Sequence, residues 1–220
     1  MGLEINAAHF AYAAVGGYLT GSLSFAIIVA KAKGVDIRTV GSGNPGATNV
    51  KRALGKGAGN LVFLLDFLKG FLPALMPFLL LESNAVPVSI CCLLSAILGH
   101  SFPLYYGFKG GKGVATTMGG LLALMPIVML IGILSWVIVF YSLRVVSVAS
   151  IAFGVALPIA AWAIDIWQSS LFVNVLGQLG NDPERQLQVW FSGLISLLIL
   201  IRHRSNISRL IRGEELSFKK

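Results

Sequence analysis

The stretch "INAAHFAYAAVGGYLTGSLSFAIIVA", residues 5–30, contains no Asp, Glu, Lys or Arg, and a short basic segment separates it from "GSGNPGATN", residues 41–49. The second string carries Gly-x-Gly-x-x-Gly at Gly41, Gly43 and Gly46. That spacing marks a dinucleotide-binding turn when it follows a β-strand and opens a helix in a βαβ unit. The first string excludes such a setting, because an uncharged run of this length is what a helix needs to cross about 30 Å of hydrocarbon. A phosphate-type glycine turn therefore stands at the end of a membrane span.

The rest of the chain agrees with a membrane setting. Of 220 residues, 56% are hydrophobic and 12% charged, where a soluble domain carries about a quarter charged residues. Mean hydropathy is +0.82. The apolar runs are continuous rather than alternating, which argues against a β-barrel. The expected fold class is all-α, a polytopic membrane protein forming a single domain over residues 1–220. "MGLEINAAHF" has no basic residue ahead of the first span, so that span is expected to persist rather than be cleaved as a signal. Cys91 and Cys92 are adjacent and would point apart on a helix, so neither a disulfide nor a metal site is expected there.

Charge distribution orders the spans. Residues 31–56, the string "FKGGKG" at 108–113 and the tail from 202 onward hold fourteen of the 17 Lys and Arg. The positive-inside rule puts all three in the cytoplasm. Spans are expected over about 8–30, 57–81, 86–104, 145–166 and 187–201. The uncharged run 113–143, with Pro126 near its middle and Arg144 after it, supplies two more. The total is seven, with the amino end outside and the carboxyl end inside. The outer segments then carry Glu4, Glu82, Asp165, Asp182 and Glu184 against Arg185 alone. The fourth span is short: about twelve residues, 113–124, rise only ~18 Å. It completes a crossing only if "FKGGKG" dips into the membrane, where non-helical backbone is tolerated if it lines a protein cavity.

Each basic segment offers anion-binding chemistry. Gly41, Gly43 and Gly46 leave backbone N–H groups able to converge on an anion, and Ser42, Asn44 and Asn49 add short polar side chains. Arg52 lies one helical turn beyond Asn49. A flexible connector capping the next helix is the plainer alternative for so short a motif. In "FKGGKGVATT", Gly110, Gly111 and Gly113 flank Lys109 and Lys112, and Thr116 opens a helix. The spacing is not that of a P-loop, since Gly113 stands where Ser or Thr should follow the lysine. The third segment, "RHRSNISRLIRGEE", sets Arg202, Asn206 and Arg209 on one helical face beside His203. Glu214 follows a glycine and could pin an arginine. A basic helix resting on anionic lipid is the alternative there. Asp66 and Lys69, three apart inside the second span, read as a mutual ion pair that closes the loops over a site. His100, at the end of the third span, is a ligand contact or a polar group at the interface. The fifth position after each histidine is Ala14, Tyr105 or Ser208, so no His-x-x-x-x-Asp acyltransferase pair exists.

The strings "GSGNPGATNVKR", "GHSFPLYYGFKGGKGVAT" and "RHRSNISRLIRGEE" together resemble the bacterial acyl-phosphate:glycerol-3-phosphate acyltransferases, the PlsY family. The resemblance implies acyl transfer from acyl phosphate to the 1-hydroxyl of sn-glycerol 3-phosphate, giving lysophosphatidic acid and phosphate, on the cytoplasmic side of the inner membrane. It implies catalytic work at Ser42, Lys112, His203 and Asn206. Substrate binding would fall to Gly41, Gly43, Gly46, Asn44, Asn49, Arg52, Lys109, Gly110, Gly111, Gly113, Thr116, Arg202 and Arg209. Asp66, Lys69 and Glu214 would be structural. No metal, cofactor or nucleic-acid partner is implied; membrane lipid is, and the oligomeric state stays open, a monomer included. A transporter of phosphorylated metabolites is the competing class, but it needs a second gate, and the outer segments lack a matching glycine-rich basic string.

The charge count makes a prediction of its own. Single cysteines replacing Ser42 or Ser205, in a background without Cys91 and Cys92, are expected to resist a membrane-impermeant thiol label in intact cells and to react once the membrane is opened. Labelling of Ser42→Cys from outside overturns the orientation.

Overall fold

The structure, a computed structural model, describes residues 6–81, 85–176 and 182–218, with 169–176 described by backbone alone. Glu4, Glu82, Lys219 and Lys220, which enter the charge count, lie outside the described residues. The chain divides into two compact units, Met1–Leu124 and Met125–Lys220.

The described residues of the first unit form helices α1 (Ala7–Gly21), α2 (Phe25–Ala32), α3 (Ala47–Leu54), α4 (Lys56–Leu80), α5 (Ala85–Ser101) and α6 (Val114–Leu124). The first expected span is thus two helices, interrupted at Ser22–Leu23–Ser24. Asn6 caps α1, accepting from the amide of Ala8 at 3.0 Å, while its own amide donates to His9 Nδ1 at 3.2 Å. Gly55, at φ 89°, separates α3 from the long α4. A single 3₁₀ turn, Leu104–Tyr106, follows α5 and leads into the basic glycine loop.

Three helices meet at very short range. A β-carbon placed on Gly70 of α4 would overlap the backbone of Thr116 in α6, and one on Gly119 of α6 would overlap the backbone of Phe67 in α4. In lipid, where apolar burial gives little net drive, such small-residue contacts allow the backbones to approach and pack. Helix α5 adds Leu93, fully buried against Gly120. The start of α6, which carries the glycine loop, is thereby fixed against α4 and α5.

The second unit holds α7 (Pro126–Leu143), α8 (Val146–Leu176), α9 (Pro183–Arg202) and α10 (Arg204–Ile211). Pro126 opens α7, where a missing N–H costs nothing. Arg144, at φ 59°, turns the chain from α7 into α8. Asp182 caps α9 through the Glu184 amide at 3.0 Å, with Pro183 in the first turn. The carboxyl segment returns to the α7–α8 turn: the Phe218 amide donates to the Arg144 carbonyl at 2.8 Å, and its ring meets Phe140 edge-on at 6.3 Å.

Among the described residues, six stretches are long and apolar enough to cross a membrane: Ala7–Ala32, Lys56–Leu80, Ala85–Tyr106, Pro126–Leu143, Val146–Gln168 and Pro183–Arg202. Between the third and fourth stands α6, apolar but 11 residues long. The outward surface carries large apolar side chains, including Leu79, Ile138, Ile159 and Trp190, each more than half exposed. A soluble protein does not leave so much apolar surface uncovered.

The α4–α6 approach sets a prediction. Gly119→Ala is expected to destabilise the protein by ~1–3 kcal/mol, because no side chain can move to make room for the added carbon. Gly193→Ala on α9, where nothing lies within 4 Å of the new β-carbon, is expected to be neutral or slightly stabilising. Thermal unfolding in detergent compares the two.

Candidate active site

The first basic segment is shaped by one buried asparagine. Asn49, 1% exposed at the start of α3, accepts the Ser42 amide on Oδ1 at 2.9 Å. Its Nδ2 donates to the carbonyls of Ile37 at 3.1 Å and Val40 at 2.9 Å. All three contacts are to backbone, so Asn49 closes the loop onto its helix. The expectation that Asn49 lines a substrate site is corrected: its polar atoms are committed inward. What it does is fix the peptide that presents Ser42, which is half-buried, as are Asn44 and Arg52. Gly41 and Gly43 adopt φ 58° and 67°, and the Gly43 amide donates to Val40 at 3.0 Å.

The second segment hangs from the end of α5. The amides of Gly110 and Gly111 donate to the carbonyls of Ser101, at 3.2 Å, and His100, at 3.1 Å. These carbonyls belong to the last turn of α5, where four lack intrahelical partners. The expectation that both amides converge on a phosphate is therefore corrected, because each is spent on the helix terminus. Gly111 is required for a different reason: a β-carbon there would overlap the His100 ring and approach the Pro45 carbonyl to 2.7 Å. The two glycine loops abut at this point. Arg38 adds a second tie, its Nη2 donating to the Tyr106 carbonyl at 3.0 Å. Lys112 is half-buried and Lys109 exposed. Gly113, at φ 78°, leads into α6, whose first-turn amides project from the helix start.

Under these loops lies a buried polar cluster. Asp66 and Lys69, 2% and 3% exposed, pair at 2.7 Å. The Lys69 ammonium also donates to the Leu23 carbonyl at 2.7 Å and stands 5.5 Å from the centre of the Phe25 ring. His100 Nδ1 lies 3.7 Å from Asp66 Oδ1 and 3.4 Å from Thr116 Oγ1. Thr116 is fully buried, so its hydroxyl serves this cluster and not the loop surface where a substrate contact was expected.

The third segment is organised within the second unit. His203, 2% exposed, links α9 to α10, and its Nδ1 lies 2.8 Å from the Ile199 carbonyl. A carbonyl only accepts, so Nδ1 carries a proton and donates it to this bond. After α10 the chain reverses at Gly213, φ 71°; the Gly213 amide donates to Leu210 at 3.1 Å and the Glu214 amide to Arg209 at 2.8 Å. This Schellman turn aims the next residue back at the helix. Glu215 thus accepts from Asn206 Nδ2 at 2.6 Å, Arg209 Nε at 2.8 Å and Ser147 Oγ at 2.8 Å. Glu214, expected to hold the motif, instead pairs with Arg212 at 2.8 Å in an exposed contact. Adjacent glutamates after a glycine gave no sequence signal to separate them. Arg202 is half-buried at the end of α9. Burial pushes the Glu215 carboxyl up, but bonds from Asn206, Ser147 and Arg209, with the charge of Arg209, hold it below its ordinary value.

Helices of spanning length with apolar outward faces define an integral membrane protein. The family described as glycerol-3-phosphate acyltransferase matches residues 11–213. A glycerol-3-phosphate acyltransferase of Aquifex aeolicus is 44% identical over 203 residues, 91% of this chain and 95% of that protein. One from Methylobacillus flagellatus is 43% identical over 209 residues, 94% and 95% respectively. Two crystal structures of PlsY (YgiH), an integral membrane glycerol 3-phosphate acyltransferase, superpose with TM-scores of 0.78 for the glycerol 3-phosphate form and 0.77 for the lysophosphatidic acid form. They are 42% and 41% identical to this chain; each covers 96% of it, and 96% and 95% of those chains are matched. The chain belongs to the glycerol-3-phosphate acyltransferase family. It is an integral membrane acyltransferase of lipid synthesis.

Two glutamates side by side separate the roles experimentally. Glu215→Gln is expected to lower stability by ~1–3 kcal/mol, since buried donors lose a charged acceptor; Glu214→Gln, in an exposed pair, is expected to change it by less than about 1 kcal/mol. Because the folded carboxyl of Glu215 is depressed, its contribution is present above the unfolded value of about 4.3 and lost as pH falls through the folded value. Thermal unfolding compared between pH 7 and pH 4 should show wild type losing more stability than Glu215→Gln.

Proposed function

We propose that the protein transfers a fatty acyl group from acyl phosphate to the 1-hydroxyl of sn-glycerol 3-phosphate, releasing phosphate and 1-acylglycerol 3-phosphate. The observation that carries this is the "FKGGKG" loop, packed onto the end of α5 and opening α6 with Lys112 between two glycines. A helix start beside a lysine suits a phosphate. An acyl phosphate needs no larger handle. The forms in which the related PlsY structures were solved, with glycerol 3-phosphate and with lysophosphatidic acid, support the acceptor and the product.

The donor is already activated, because phosphate is a good leaving group. The hydroxyl oxygen attacks the acyl carbon, the bond from that carbon to the phosphate oxygen breaks, and the hydroxyl proton passes to a phosphate oxygen of the donor. Alignment is worth ~7–11 kcal/mol and each electrostatic donor ~3–4 kcal/mol, so no covalent enzyme intermediate is needed. Lys112 and the amides at the start of α6 stabilise the leaving phosphate. Ser42, Asn44, Arg52, His203 and Asn206 bind and orient. Lys109, Arg202 and Arg209 supply positive charge, and Gly41, Gly43 and Gly46 shape the first loop. His203, flanked by Arg202 and Arg204, is poorly placed to take a second positive charge.

The chain works as one membrane domain over 1–220, in the bacterial inner membrane, with the three motif segments cytoplasmic. Seven crossings follow from the charge parity, with α6 as the short fourth. Its 11 residues rise ~16 Å, so the loop before it enters the membrane with it.

Purified protein in lipid vesicles, given palmitoyl phosphate and glycerol 3-phosphate, should form lysophosphatidic acid with intersecting initial-velocity patterns and no burst. Comparable turnover with acyl-CoA overturns the donor; ping-pong kinetics or a trapped acyl-enzyme overturns direct transfer. His203→Gln is expected to keep measurable turnover, and complete loss of chemistry with normal binding of both substrates moves the proton to His203.

A further inference from the structure

We propose that His100 is a positioning residue for the phosphate loop, held in its working orientation by the Asp66–Lys69 pair beneath it. The inference rests on the reading that "FKGGKG" takes the acyl phosphate. His100 meets this loop twice. Its carbonyl accepts the Gly111 amide at 3.1 Å, and its ring lies so close to Gly111 that a β-carbon there would overlap Nε2 and approach Cε1 to 3.0 Å. The other edge of the ring faces inward, with Nδ1 3.7 Å from Asp66 Oδ1 and 3.4 Å from Thr116 Oγ1. The main chain of His100 thus holds the peptide before Lys112, while its buried ring packs against Gly111 on one edge and lies near the first turn of α6 on the other.

The carboxylate decides how that ring is held. Asp66 is fixed by Lys69 at 2.7 Å, and Lys69 is fixed in turn by the Leu23 carbonyl at 2.7 Å, which the break between α1 and α2 has released. The carboxylate lies on the inner side of the ring, near Nδ1, and Nε2 lies against the loop at Gly111. Nothing about stability demands this arrangement, since a buried ion pair is often no better than apolar residues of the same volume. A cluster that spans α4, α5 and α6 and ends against the loop glycine does what an apolar core cannot: it gives the ring a polar side that favours one orientation. A displacement of about 1 Å at a reacting group can lower rates about a hundredfold, so the effect on donor binding is expected to be large.

The test is a full two-substrate kinetic comparison in lipid vesicles of wild type, Asp66→Asn, His100→Gln, Thr116→Val and Thr116→Ser, with palmitoyl phosphate and glycerol 3-phosphate both varied. The expected result is a KM for palmitoyl phosphate raised about tenfold or more in Asp66→Asn, His100→Gln and Thr116→Val. The KM for glycerol 3-phosphate should stay within about twofold, and Thr116→Ser should behave as wild type. Thr116→Val keeps the side-chain shape and decides the matter if the charged-cluster variants fail to fold. An unchanged donor KM in Thr116→Val, or equal changes in both KM values, shows the cluster to be merely structural and overturns the proposal. Wild type that turns over acyl-CoA but not palmitoyl phosphate overturns the functional reading itself and this inference with it. Wild-type turnover of palmitoyl phosphate with unaltered variant kinetics overturns the inference alone.

Discussion

A lysine and an aspartate cannot be carried inside an apolar helix without partners, and the first unit is arranged around satisfying them. Asp66 and Lys69 neutralise each other, but an ammonium has three N–H groups and one carboxylate does not exhaust them. The Leu23 carbonyl takes another, and it is available because α1 and α2 are interrupted at Ser22–Ser24. The interruption is tied elsewhere too: the Leu104 amide lies 3.3 Å from Ser22 Oγ, and the Tyr18 hydroxyl donates to the Phe102 carbonyl at 2.8 Å. A break that would be intolerable in lipid is thus absorbed by side chains and by the segment leading to the glycine loop.

The second unit uses a different economy. One glutamate collects three donors from α8 and α10, and a glycine turn delivers it. Asn206 and Arg209 are oriented by an acceptor that is later in sequence, so the segment beyond α10 is part of the motif's framework. His203 is set independently, by the Ile199 carbonyl one turn behind it. The division matters for geometry: the imidazole is oriented through Nδ1 by the main chain, and the Asn206 amide is oriented through Nδ2 by Glu215.

Much of this was legible in the sequence because bilayers reduce folding to length and charge. Apolar runs mark most of the long helices to within a few residues, although α8 continues ten residues beyond the expected end at 166, and Pro126 and Arg144 mark the ends of α7. The family followed from three strings read together. What could not be read were interactions whose partners are distant or ambiguous. Asn49 was assigned outward because short polar residues beside glycines suit anions, yet three backbone groups across the loop claim it. Gly110 and Gly111 suggested open amides, but the unpartnered carbonyls of α5 stood ten residues away, and only the fold brings them together. Glu214 and Glu215 differ by the direction in which a turn aims them, which composition does not encode. The interruption of the first span left no mark stronger than two serines.

The approach of α4 to α6 has a consequence for how this protein can change over generations. At Gly120 the atoms in the way belong to the Leu93 side chain, so an enlarged residue there can be matched by a smaller one at position 93. At Gly70 and Gly119 the obstructing atoms are main chain, Thr116 and Phe67 respectively, and no substitution removes a main-chain carbonyl. A suppressor screen begun from a lesion at Gly120 has a second-site solution within reach. One begun at Gly70 or Gly119 should return reversion to glycine, or nothing. Two adjacent glycines of a short helix, one facing α4 and the other α5, are in this sense genetically unequal, the first irreplaceable and the second negotiable.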